Sequence, residues 1–106
     1  MVARGDVWLA SLDPAVSSEI QKTRPCVVIS PPEMHNCLRT VIVAPMTTGS
    51  YGASFRVPIN FAGKKGLILA DQIRALDKTR LVKHLGAISP KTLAALLAVL
   101  QETFAE

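Results

Sequence analysis

Arg24 is the side chain best placed by its neighbours to do chemistry. It stands in the charged run Glu19-Ile20-Gln21-Lys22-Thr23-Arg24-Pro25, which leads into Cys26-Val27-Val28-Ile29-Ser30, a stretch with the composition of a buried strand. Pro25 biases Arg24 toward an extended backbone. The guanidinium is therefore expected to project from a fixed base at the rim of a core, beside a polar loop. Its planar fork of donors suits phosphate oxygens. An arginine presented this way can stabilise charge developing on a phosphoryl group. The competing reading is structural: Arg24 caps a strand end or pairs with Glu19 on the surface. His35 and Cys37 lie near each other, but no second cluster has metal-ligand spacing, so no metal site is expected. Cys26 and Cys37 form no close-pair motif, and two reduced thiols are expected rather than a disulfide.

The chain that must position these groups has 106 residues, enough for one domain, 1–106, with a single modest core. Of these residues 49% are hydrophobic and 19% charged, which excludes a disordered chain. The longest unbroken apolar run, residues 93–100, is too short to span a bilayer. No basic, apolar, small-residue leader stands at the amino terminus, so the expected compartment is the cytoplasm. The net charge of +4 is unevenly placed. Lys64, Lys65, Arg74, Lys78, Arg80, Lys83 and Lys91 are opposed over the same span only by Asp71 and Asp77. Such an excess suits either an anionic partner, nucleic acid being the commonest, or a solvated basic face.

Strands are expected at residues 7–12, 26–30, 40–46 and 54–59, with further strand segments at 66–70 and 72–74 flanking Asp71, and a last one at 84–88. Asp13-Pro14 is a stop signal, and residues 15–23 read as a long loop. Residues 33–38 suit one helical turn, Gly63-Lys64-Lys65-Gly66 a tight basic turn, and 76–80 a short helical turn. Ser89-Pro90 opens a helix, with Ser as the cap and Pro in the first turn. Leu93, Leu96, Leu97, Leu100 and Phe104 mark its apolar face. Ala94, Ala95, Ala98 and Val99 make it apolar nearly all round. It is therefore expected to sink into the core or to meet a partner chain, and a homodimer with this helix near the interface is favoured. Many short strands with Gly/Pro turns, closed by one helix, give a mainly β protein of α+β class: a small, strongly bent β-barrel with helical additions.

In order along the chain, Arg4-Gly5-Asp6-Val7-Trp8, Leu12-Asp13-Pro14, Ser18-Glu19, Thr23-Arg24-Pro25, Val43-Ala44-Pro45-Met46-Thr47, Leu69-Ala70-Asp71-Gln72-Ile73-Arg74, Leu85-Gly86 and Ser89-Pro90 resemble the MazF/PemK family of toxins. The resemblance implies an SH3-like β-barrel with a carboxy-terminal helix, assembled as a homodimer. It implies metal-independent, sequence-selective cleavage of single-stranded RNA, with no cofactor. The implied partner is a cognate antitoxin whose flexible acidic segment blocks the RNA groove, operator DNA being bound only indirectly through that antitoxin. Residue by residue, the resemblance assigns the catalytic arginine to Arg24 and the catalytic threonine to Thr47, with Glu19 where the family often has a glutamate. Two positions depart from one branch of the family. Ser18 stands where some members have histidine, and Leu69 where some have arginine, although Asp71 is kept.

The implied chemistry is attack of a ribose 2′-hydroxyl on the adjacent phosphorus. Arg24 would stabilise the added charge, and Thr47 would donate to a phosphate oxygen or orient the hydroxyl. Glu19 is the first candidate base and Asp71 the second. Asp71 has the alternative of pairing with Arg74 or capping a turn. His35 and His84 have suitable intrinsic pKa values but fall outside the matched motifs. RNA contacts are expected from the loop 49–54, with Tyr51 stacking on an unpaired base and Thr48 and Ser50 beside it. Lys22, Arg56, Lys64, Lys65, Gln72 and Arg74 would follow the backbone. Two other readings compete: a non-catalytic module of this fold that binds a protein target, and an inactive relative.

Overall fold

Cys26, Val27 and Val28 show why a continuous apolar run can be one strand. Val27 packs into one hydrophobic cluster with Val7, Ala44, Ile68 and Leu96, while Cys26 and Val28 pack into a second with Ala10, Leu12, Val41 and Leu76. Successive side chains point to opposite faces, so a strand buried on both faces has no polar alternation. The computed structural model describes residues 2–13, 22–49 and 52–106.

The strands are β1 Asp6–Ser11, β2 Thr23–Val28, β3 Thr40–Thr47, β4 Arg56–Phe61, β5 Lys64–Leu69, β6 Arg74–Asp77 and β7 Leu81–Ala87. A helical turn, α1 Pro32–His35, follows β2, and the chain closes with α2 Pro90–Phe104. The strands form one antiparallel sheet in the order β4-β5-β3-β2-β1-β7, with β6 also paired to β3. β3 carries the bend. Its first half pairs with β6 through Thr40–Val43, and its end passes to β5 through Met46 and Thr47. The sheet curls so that its outer strands meet through side chains: a Cβ at Gly86 of β7 would lie 3.4 Å from Cζ of Phe61 on β4. The fold is mainly β, a curled antiparallel half-barrel with a carboxy-terminal helix, in line with the SH3-like expectation.

Several boundaries differ from the sequence reading. β2 begins at Thr23 rather than at Cys26, because Ser11↔Thr23 and Ala10↔Arg24 extend its pairing with β1. The basic turn falls two residues earlier than residues 63–66. Phe61 pairs with Lys64, and Ala62 (φ 52°) and Gly63 (φ 79°) form the tip, the positive-φ pair of a tight hairpin. Lys64 and Lys65 therefore belong to β5. The helical turn expected at 76–80 shrinks to Lys78–Arg80, because Leu76 and Asp77 pair with Val41 and Thr40. Gln72 lies in a 3-10 turn, Ala70–Gln72, rather than in a strand.

Ser89 caps α2 by accepting from the Thr92 N–H at 3.1 Å. Leu96 and Leu100 are buried, and Leu93, Leu97 and Val99 are half-buried. Phe104, expected on the apolar face, is 72% exposed, in the last turn of the helix beyond the buried Leu100. Ala95 and Ala98 flank the buried positions, and Ala95 is exposed in the protomer. The all-round apolar character of α2 thus comes largely from alanine methyls, which remove little apolar surface from water when covered.

His35 is a structural crosslink. Its ring is fully buried, with Nε2 2.9 Å from the Val2 carbonyl and Nδ1 2.9 Å from Ser30 Oγ. A carbonyl only accepts, so Nε2 donates to Val2, and the Ser30 oxygen in turn accepts from the Ile42 N–H. Both cysteines are free, Cys26 buried and Cys37 exposed.

Candidate active site

Arg24 and Thr47 come together because of strand register. β2 and β3 pair through Val28↔Val43, Val27↔Ala44 and Cys26↔Pro45. Continued two residues, that register sets Arg24 opposite Thr47, where β3 is leaving β2 for β5. The divergence opens a cleft of about 370 Å³, lined by residues of β2, β3, β4, β5 and β7, among them Arg24, Thr47 and Lys64, and by Thr48 and Ala62 outside the strands. Arg24 and Thr47 are half-buried, while Thr48 and Lys64 are exposed. One part of the cleft is cationic and hydroxylic, and Met46, Ile59, Phe61 and Leu85 give it an apolar wall. Thr47 Oγ1 accepts from the Gly49 N–H at 3.4 Å, which leaves its O–H to donate.

Gly66 makes this corner possible. A Cβ there would stand 2.6 Å from the Thr47 carbonyl oxygen, closer than such contacts allow. A glycine inside a strand pattern is the sequence signal for such an approach. Gly66→Ala is expected to push the Thr47 backbone away, costing about 1–3 kcal/mol of stability and lowering the cleavage rate by roughly tenfold. Single-turnover rates and thermal melts of the same preparation check both.

The structure separates the other expected site residues. Lys64 and Thr48 line the cleft. Lys65 is exposed on β5, and Lys22 is exposed with φ 70° and its N–H bonded to Asp13 Oδ1 at 2.9 Å. Asp71 pairs with Arg56, not with Arg74: Nε to Oδ1 and Nη2 to Oδ2 are both 3.1 Å. The carboxylate's hydrogen bonds hold the Arg56 pKa above its ordinary value. Gln72 follows Asp71 in the 3-10 turn and is half-buried. Arg74 donates to the Leu12 carbonyl at 3.1 Å. Neither Asp71, Arg56, Gln72 nor Arg74 lines the cleft. Leu69, the arginine position of one family branch, is buried in the core. Ser18, Glu19, Ser50 and Tyr51 lie outside the described residues. His84 is 3.6 Å from Asp6, and its ring is 5.1 Å from that of Trp8, on β1 and β7 away from the cleft lining. Sequence reasoning missed the apolar wall of Ile59, Phe61 and Leu85. Its residues come from β4 and β7, segments far apart in the chain, and no local feature of either marks it.

Cys26 lies behind Arg24. Burial pushes its thiol from an ordinary 9.0 to about 12, against the opposing pull of the Arg74 and Arg24 charges. Below pH 9 the thiol is protonated in both folded and unfolded chains. Between 9 and 12 only the unfolded chain loses the proton, so stability falls as pH rises through that window. The corresponding slope is expected to disappear in Cys26→Ala, measured by denaturant titration across the window.

A family described as "PemK-like, MazF-like toxin of type II toxin-antitoxin system" matches residues 3–104. The chain belongs to this toxin family. It is 35% identical over 96 residues to Endoribonuclease PemK of Escherichia coli, a match covering 85% of this chain and 71% of that protein. With Endoribonuclease MazF of Staphylococcus epidermidis it shares 39% identity over 95 residues, covering 84% and 79%. The crystal structure of MazF from Deinococcus radiodurans superposes with a TM-score of 0.82 at 28% identity, covering 97% of this chain and 94% of that one. A MazE-MazF crystal from the same organism gives a TM-score of 0.76 at 25% identity, with coverage of 99% and 95%. The PemK/MazF assignment carries the activity with it: the chain is an endoribonuclease of the toxin type. Among the described residues no helix is long and apolar enough to cross a membrane.

Proposed function

We propose that the cleft between β2 and β3 is where this toxin cleaves single-stranded RNA, without a metal and with sequence selectivity. The 2′-oxygen attacks the adjacent phosphorus, the bond from phosphorus to the 5′-oxygen breaks, and the products are a 2′,3′-cyclic phosphate and a 5′-hydroxyl. One proton leaves the 2′-hydroxyl and one reaches the departing 5′-oxygen. Arg24 stabilises the extra negative charge on the phosphorane, and Thr47 donates to a non-bridging oxygen or holds the nucleophile in line. Glu19, which precedes Arg24 by five residues in the chain, is the first candidate for the base. Asp71, held by Arg56 outside the cleft lining, is the second. The observation that carries this reading is the meeting of Arg24 and Thr47 in one cleft, with the Thr47 O–H available to donate.

A homodimer and a cognate antitoxin with a flexible acidic segment complete the proposal, the latter supported by the MazE-MazF assembly of the Deinococcus radiodurans relative. Operator DNA would be engaged only through that antitoxin, and the cytoplasm is the proposed site of action. The test is digestion of a long mixed-sequence RNA by purified protein in EDTA, followed by end-group analysis and mapping of the cut sites. Cyclic-phosphate and 5′-hydroxyl ends at a recurring short sequence are expected. Ends of the opposite polarity, or cleavage that stops in EDTA, would overturn the mechanism.

A further inference from the structure

Arg4, Arg74 and Arg80 of this basic chain all donate to main-chain carbonyls. Arg4 Nε donates to Ile29 O at 2.8 Å, Arg74 Nη1 to Leu12 O at 3.1 Å, and Arg80 Nη1 to Asp13 O at 2.6 Å and Ser11 O at 3.4 Å. Arg74 and Arg80 together grip three consecutive carbonyls, those of Ser11, Leu12 and Asp13, where the chain leaves β1. The same short segment is tied to the start of β2. Leu12 N–H donates to the Lys22 carbonyl at 2.9 Å, and Lys22 N–H donates to Asp13 Oδ1 at 2.9 Å. Lys22 holds φ at 70°, a conformation that lysine adopts only when its surroundings impose it. Two residues later comes Arg24.

The other end of the clamp is fixed to the strand that carries Thr47. Arg74 pairs with Val43 of β3, four residues before Thr47. Strand pairing links β3 to Arg74, hydrogen bonds link Arg74 to Leu12 and Leu12 to Lys22, and two residues of chain lead from Lys22 to Arg24. Arg80 adds a second anchor from the turn after β6, a turn closed by Asp77 accepting from Thr79. The Arg74 and Arg24 charges both act on the buried Cys26 thiol, which lies between Arg24 and Val27 on β2.

The geometry points to Arg74 and Arg80 as positioning residues for cleavage, setting the place of Arg24 relative to Thr47 rather than contacting RNA. This rests on the Arg24/Thr47 reading of the cleft. It also changes the meaning of the basic span 64–91, since two of its cations are held by the protein's own carbonyls.

The experiment compares Arg74→Met, Arg74→Lys and Arg80→Met with the parent and with Arg24→Ala. Cleavage gives kcat and KM. Binding is measured over a range of salt with a 2′-O-methylated copy of a cleaved RNA, which cannot react. For a clamp, kcat falls about tenfold or more in the Met variants, KM and the salt slope stay unchanged, and Arg74→Lys recovers part of the rate by keeping one donor to Leu12. If these arginines instead neutralise phosphates, KM rises and the slope of log affinity against log salt shrinks by about 0.7 for each phosphate no longer neutralised, which would overturn the inference. A lowered melting temperature with unchanged kcat would overturn it too. If Arg74→Met does not fold, Arg80→Met is judged on the same outcomes. Full activity in Arg24→Ala would instead remove the reading on which the clamp rests, so the two failures are distinguishable.

Discussion

Arg24→Ala is expected to give a folded protein whose RNA cleavage is slower by about a hundredfold or more. The size follows from the loss of one preorganised charged donor to the phosphorane, about 3 kcal/mol. The fold should survive, because Arg24 is half-buried at the open end of β2 and the pairing of its backbone with Ala10 does not depend on the side chain. Single-turnover rates under saturating enzyme, with a thermal melt of the same sample, provide the check. Thr47→Ala should lose less, because a neutral donor contributes less than a charged one. A well-folded Arg24→Ala protein that cleaves at the parent rate would leave the cleft without its central role.

Leu96→Ala is expected to have the largest effect on stability, a loss of about 3 kcal/mol. Leu96 is fully buried, on the face of α2 that joins the cluster of Val7, Val27, Ala44 and Ile68. Truncating it leaves a cavity where helix and sheet join. The neighbouring Ala95 is exposed, so Ala95→Ser should stay within about 0.5 kcal/mol. Denaturant titration of both variants measures the contrast. A loss at position 96 no larger than at 95 would show that α2 is not packed on the sheet as described.

The strands were legible where burial wrote a pattern. Cys26-Val27-Val28 reads as a strand because both its faces are covered. The start of α2 was legible because Ser89 and Pro90 have local reasons to stand there. The hairpin tip was not, because Ala62 takes φ 52°, a conformation its side chain does not advertise, while the adjacent lysines look like loop residues. Charge counting could not say how Arg56, Arg74 and Arg80 are held, for a different reason. Composition cannot reveal that a guanidinium is held by Asp71, or by a carbonyl far away in the chain. The meeting of Arg24 with Thr47 depends on the β2–β3 register, which no local feature of either segment specifies. Family resemblance supplied that pair, and the geometry then gave it a physical setting. Glu19, Ser50 and Tyr51 lie outside the described residues, so their assignments stay proposals.

The contact between Trp8 and His84 has a practical consequence. This chain has a single tryptophan, so its indole emission reports on one place, the junction of β1 with β7. The His84 imidazole lies against it with ring centroids 5.1 Å apart, and that contact is lost when this edge of the sheet comes apart. An optical signal is thus built in for following unfolding of the sheet without a label. Because the indole sits away from the cleft lining, RNA bound there should leave its emission unchanged unless the edge strands themselves shift.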